Sequence, residues 1–146
     1  MIVCIDLSPL VVVCFGLTRG ITCVMPVDTE ARLLGLFDNK AELLPLWQRL
    51  RPAVERLGPD VRVRPRMVYA EFDRGGEEFV IAEPTSHRRL VVGLHNPGLP
   101  VTPRFRPADE FGSRRITHRI SLRGPGELEA ELAARIREAY DLALAR

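Results

Sequence analysis

The sequence predicts an α+β domain: N-terminal helices, a four- to five-stranded and mostly antiparallel sheet, and a C-terminal helix packed on one face. Three observations carry this. Apolar residues recur at steps of three and four in two segments, one before and one after the middle of the chain. The middle switches to a step of two. The links between its period-two runs are short enough for hairpins, which join antiparallel strands.

In chain order, "DTEARLLGLF" reads as a short capped helix with Leu33, Leu34, Leu36 and Phe37 apolar. "KAELLPLWQRLRPAVERLG" carries apolar residues at Leu43, Leu44, Leu46, Trp47, Leu50, Val54 and Leu57, the steps of an amphipathic helix. Pro45 suits a first turn, Pro52 should kink or divide this helix, and Gly58-Pro59 stops it. Val61 and Val63 then alternate with Arg62 and Arg64, and Val68, Ala70 and Phe72 alternate with Tyr69 and Glu71. Arg74-Gly75-Gly76-Glu77 is a hairpin turn, with Phe79 and Ile81 on the return strand. "RRLVVGLHN" is a further strand, "PGLPVTPRFRPADEFGS" a loop, and "RRITHRISLRG" a strand with Ile116, His118, Ile120 and Leu122 on one face. Gly126 or Glu127 opens the last helix, whose stripe is Leu128, Leu132, Ile136, Ala139 and Tyr140.

The opening "MIVCIDLSPLVVVCFGLTRGITCVM" holds all three cysteines. Asp6, Pro9, Arg19 and Gly20 interrupt it, so no run approaches the roughly 20 apolar residues of a spanning helix. It lacks a basic start and alanine at a cleavage site, so it does not read as a secretion signal. The cysteine spacings match no metal knuckle, and an odd count argues against a disulfide framework. Residues 1–24 are expected to lie outside the domain, as an extension read from an upstream start, with one domain over 25–146. Strands "IVCID" and "LVVVCFGL" added to the sheet edge, or a membrane-interacting segment, are the alternatives.

Composition excludes little. The 146 residues are 46% apolar and 27% charged, with net charge +2. Twenty of the 21 basic residues are Arg, a skew that resembles high-GC codon usage. From Asp60 to Arg123 there are twelve Arg against eight Asp and Glu, a net of +4. Nucleotide-binding glycine loops, a serine elbow and a zinc HExxH are all missing, and no catalytic residue, metal ligand or cofactor is assigned.

Two sets of residues are candidates. Arg62, Arg64, Arg115 and Arg119 alternate on strands as residues tracking an anion would, and nucleic acid is a weaker version of that expectation. Tyr69, His118 and Tyr140 are the candidate lining of a small-ligand or enzymatic pocket; His118, among Ile116, Ile120 and Leu122, also reads as a structural histidine. Glu71, Asp73, Glu77 and Glu78 read as a solvated hairpin tip. The expected role is a non-enzymatic cytoplasmic module that binds a protein or an anion, without a membrane.

"VYAEFDRGGEEFVIAEPTSHRRLVVGLHNP", the proline-rich loop and "ITHRISLRGPGELEAELAARIREAYDLA" together resemble a bacterial domain-of-unknown-function family, number 5655. Phe72, Phe79, Pro84, Leu90, Thr117, His118, Leu122, Ala139 and Tyr140 occupy the places of its pattern, over about Leu36 to Ala143. More distantly the chain is similar to the YdhG/YjbR-like group of small α/β domains. The resemblance implies the fold and no established activity.

Overall fold

A computed structural model describes residues 2–6, 12–16, 23–25 and 27–144, with side chains over 28–143. The chain divides into two compact units, Met1–Gly35 and Leu36–Arg146. In the first, β1 (Ile2–Asp6), β2 (Val12–Gly16) and β3 (Cys23–Met25) form a three-stranded antiparallel sheet, and α1 (Val27–Gly35) follows. These strands are not added to an edge of the main sheet, as the sequence allowed. They pair among themselves, and their register sets Cys4 opposite Cys14 and Cys14 opposite Cys23.

The second unit is built on β4 (Val61–Pro65), β5 (Ala70–Arg74), β6 (Glu77–Ser86), β7 (Arg89–Leu94), β8 (Arg106–Pro107) and β9 (His118–Leu122). Their order is β4-β5-β6-β7-β9-β8, and every pairing is antiparallel. The sheet is larger than expected because the proline-rich loop contributes β8, which pairs Arg106 with Arg119 and Pro107 with His118. Glycine at 75 and 76 takes φ +59° and +86°, the left-handed values of the β5–β6 turn.

Two helices cover one face of this sheet. α2 (Leu44–Glu55) buries Leu46, Trp47, Leu50 and Val54, and its Trp47 lies between Phe37 at 5.3 Å and Phe72 at 5.8 Å. Pro45 falls in its first turn as expected, but Pro52 does not divide the helix, which ends three residues later. α3 (Ala130–Leu144) starts later than the sequence suggested, after a short 3-10 turn over Pro125–Glu127. It sets the edge of Tyr140 against Phe79 at 5.7 Å between ring centres. Phe72, Phe79, Leu90, Leu94 and Leu122 are fully buried on the sheet side of this core, each adding about 1.5–3 kcal/mol.

Register corrects the reading of Val68 and reveals two bulges. Val68 is no strand residue: Arg66 and Tyr69 close a tight turn through a backbone hydrogen bond of 2.8 Å, and Met67 and Val68 stand exposed at its tip. Phe79 and Ile81 do not share a face. Phe72 faces Val80 while Asp73 faces Glu78, so Phe79 is an extra residue in a β-bulge. The bulge inverts parity, leaving Phe79 and Val80 toward the helices and bringing Glu78 onto the face of Glu71, Asp73 and Ile81. A second bulge lies at Thr85.

That second face is covered as well. Ile81, Ala108 and Ile116 are buried there together, with Tyr69 and Phe111 packed on them. The loop between β7 and β9 can lie this close because residue 93 is glycine. A Cβ at that position would sit 2.7 Å from Ile81, 2.8 Å from Ile116 and 3.0 Å from Phe111.

Candidate functional site

The covered face has two ends, and each carries arginines. At the β4–β6 end, cross-strand pairing sets Arg64 opposite Glu71 and Arg62 opposite Asp73. Glu71, Asp73 and Glu78 are 3%, 2% and 7% exposed, so three of the four carboxylates expected at a solvated tip are buried, and Glu77 is partly exposed. Glu71 and Asp73 are tolerated because they are paired. Arg64 reaches Asp73 at 2.9 Å and Glu71 at 3.4 Å, and Arg66 Nε donates to the other oxygen of Glu71. The Ser113 hydroxyl donates to Glu78. Burial pushes the Glu78 carboxyl up, while Ser113 and Arg115 oppose that shift. Arg115 is held by Glu77 at 2.8 Å and by the Glu78 carbonyl at 3.2 Å.

At the other end lies a cavity of about 260 Å³. Val91 and Ser121 lie on neighbouring strands beneath it; Thr85, Arg89, Arg106, Arg119 and Phe111 complete the wall. Arginines from β7, β8 and β9 therefore line one cavity, with the hydroxyl residues Thr85 of β6 and Ser121 of β9. Arg106 and Arg119 are direct cross-strand partners. Like charges in that position repel. Asp109 approaches Arg119 at 3.7 Å, and among the described residues no carboxylate pairs with Arg89 or Arg106. Glu83 lies opposite Val91 on the adjoining strand, and burial raises its carboxyl.

Of the four arginines named from the sequence, Arg119 alone lines this cavity. Arg64 and Arg115 are taken by carboxylates, and Arg62 is exposed on the far edge strand. Strand parity could have found Ser121, which shares the Arg119 face. Arg106 was beyond reach because nothing in "PRFRPADE" announces a two-residue strand.

Tyr69, His118 and Tyr140 are not brought to one place. Tyr69 packs on Ile81, and burial raises its phenol, helped by Glu78 and Glu71. His118 pairs with Leu94, in the row of Val80 and Phe72, and so lies on the opposite, helix-covered face. It is 4% exposed, with Nδ1 2.8 Å from the Thr117 hydroxyl. Tyr140 donates its hydroxyl to Asp60 at 2.8 Å, which raises the phenol, and Arg74 lies 3.7 Å above its ring. Arg74 also holds Asp60 at 2.7 Å and the Tyr140 carbonyl at 3.0 Å, tying α3 to the start of β4. Tyr69, His118 and Tyr140 do not line the cavities of about 510 and 490 Å³ either; the first shares Arg106 and Ser121 with the arginine cavity.

Among the described residues no helix is long and apolar enough to cross a membrane, and no group of three His, Cys, Asp or Glu could hold a metal ion. No curated protein matches the chain, and neither does any solved structure. A family model does match, over residues 35–143, and that span takes in the whole six-stranded sheet with both helices on it. The chain belongs to the DUF5655 family, a domain of unknown function.

Proposed function

We propose that this domain is a non-enzymatic, cytoplasmic anion-binding module whose site is the cavity of Arg89, Arg106 and Arg119. The observation that carries the reading is the direct cross-strand pairing of Arg106 with Arg119 beside Arg89, with Asp109 3.7 Å from Arg119 and Glu83 opposite Val91 as the carboxylates nearby. An edge strand could carry such charges simply to deter aggregation. These three instead share a cavity with two hydroxyls. A bound anion turns their repulsion into attraction, and each guanidinium can donate a fork of two hydrogen bonds to it.

Titration calorimetry of the full chain with inorganic phosphate at low salt tests this. Binding should weaken as salt rises and should fall about tenfold in Arg119→Gln, the loss of one charged hydrogen bond. Phosphate binding that ignores Arg119, or no binding at low salt, would sink the proposal.

A further inference from the structure

We infer that the ligand is a phosphomonoester whose ester group is a flat apolar ring, seated against Phe111. This deepens the reading of the cavity as an anion site and rests on it. The wall has two chemically distinct parts. Arg89, Arg106, Arg119 and Ser121 supply donors, while the Thr85 hydroxyl already donates to the Arg89 carbonyl; Phe111 and Val91 supply apolar surface. Three guanidinium forks and the Ser121 hydroxyl offer more donors than the two oxygens of a carboxylate can accept. A terminal phosphate offers three oxygens and about −1.5 to −2 charges, which suits them. Phe111 is half-buried, anchored on Ile81, Ala108 and Ile116, so its ring is held in place before any ligand arrives. A fixed aromatic wall gains stacking energy at little entropic cost.

Calorimetry with inorganic phosphate, phenyl phosphate and benzoate, at one ionic strength, tests the assignment. Phenyl phosphate should bind about fivefold or more tighter than inorganic phosphate, and benzoate about tenfold or more weaker than phenyl phosphate. Phe111→Leu should abolish the preference for the ring while leaving phosphate affinity in place, and Phe111→Trp should keep it. Because Phe111 also packs on Ile81 and Ile116, a readout on the unaltered chain is added: magnetisation transfer between the Phe111 ring and the phenyl protons. Arg119-dependent phosphate binding without ring preference, or without that transfer, would overturn this inference alone. Loss of Arg119-dependent phosphate binding itself would overturn the anion site beneath it.

Discussion

Arg64 and Arg66 at one end of a sheet face, and Arg106 and Arg119 at the other, are the same residue type in or beside an antiparallel strand, put to opposite use. Arg64 faces Glu71 across the β4–β5 ladder, while Arg119 faces Arg106 on one side and Gly93 on the other. The first arrangement closes its own electrostatics: the carboxylates are buried and the half-exposed arginines lie over them. The second leaves positive charge around an open volume. Counting arginines along the sequence cannot separate the two, because the cross-strand partner decides. Removing arginine should therefore weaken the fold at one end and the binding at the other.

The largest expected effect is at the closed end. Replacing both Arg64 and Arg66 by Ala strips Glu71 and Asp73 of their charged partners while both stay buried. The loss should be about 3 kcal/mol in urea unfolding, the low end for an uncompensated buried charge because water already reaches both arginines. A loss under about 1 kcal/mol would mean the carboxylates do not need them. Next comes the middle of the face. Gly93→Ala forces a methyl group against Ile81, Ile116 and Phe111, at about 1–3 kcal/mol. By displacing Phe111 it should also weaken the preference for phenyl phosphate over inorganic phosphate; unchanged stability would contradict the close approach. The open end should respond with the opposite sign. Arg106→Thr removes a like-charge pair and keeps a strand-forming residue, so stability should rise by a few tenths of a kcal/mol. Phosphate affinity should meanwhile fall about tenfold. If Arg106→Thr destabilises the domain as the double variant does, the two ends do not differ.

The fold was largely legible because periodicity reports burial, and the helices and most strands bury one face each. Trp47, Phe72, Ile120, Leu132 and Ile136 were all readable that way. The second face was not. A two-residue strand carries no period, so β8 read as loop. Without the loop's return over the sheet, the cover on Ile81 by Ala108, Ile116 and Phe111 stayed out of sight. The bulge at Phe79 was hidden too, since one inserted residue leaves a run apolar while exchanging its faces. Of the cavity, Arg119 alone was named in advance. Its other residues come from four strands and a loop, and only the β7–β9–β8 register brings them together.

The smallest effect tests the closed end by proton rather than by mutation of its arginines. Glu78 shares that face through the bulge, but its side chain is satisfied by a neutral hydroxyl, Ser113, rather than by a direct ion pair of its own. Burial holds its folded-state pKa above the unfolded value, despite Ser113 and Arg115. The folded state thus keeps this proton longer than the unfolded chain as pH rises. The stability Glu78 contributes is fully present below its unfolded pKa, and it is lost as pH climbs through the interval up to the raised value. Above that interval the ionised carboxylate is a standing cost. Glu78→Gln keeps an acceptor for Ser113 and removes the titration. The variant should be more stable than the parent at neutral pH, and its advantage should shrink as pH falls toward the ordinary carboxylate range. Unfolding free energies of both chains across a pH series measure this as a difference, in which the groups they share cancel. Asp60 sets the contrasting sign: Arg74 and Tyr140 hold its carboxyl below the usual range, so its contribution is lost as pH falls. An advantage for Glu78→Gln that stays constant with pH, or is absent at neutral pH, would show that Glu78 ionises as freely folded as unfolded.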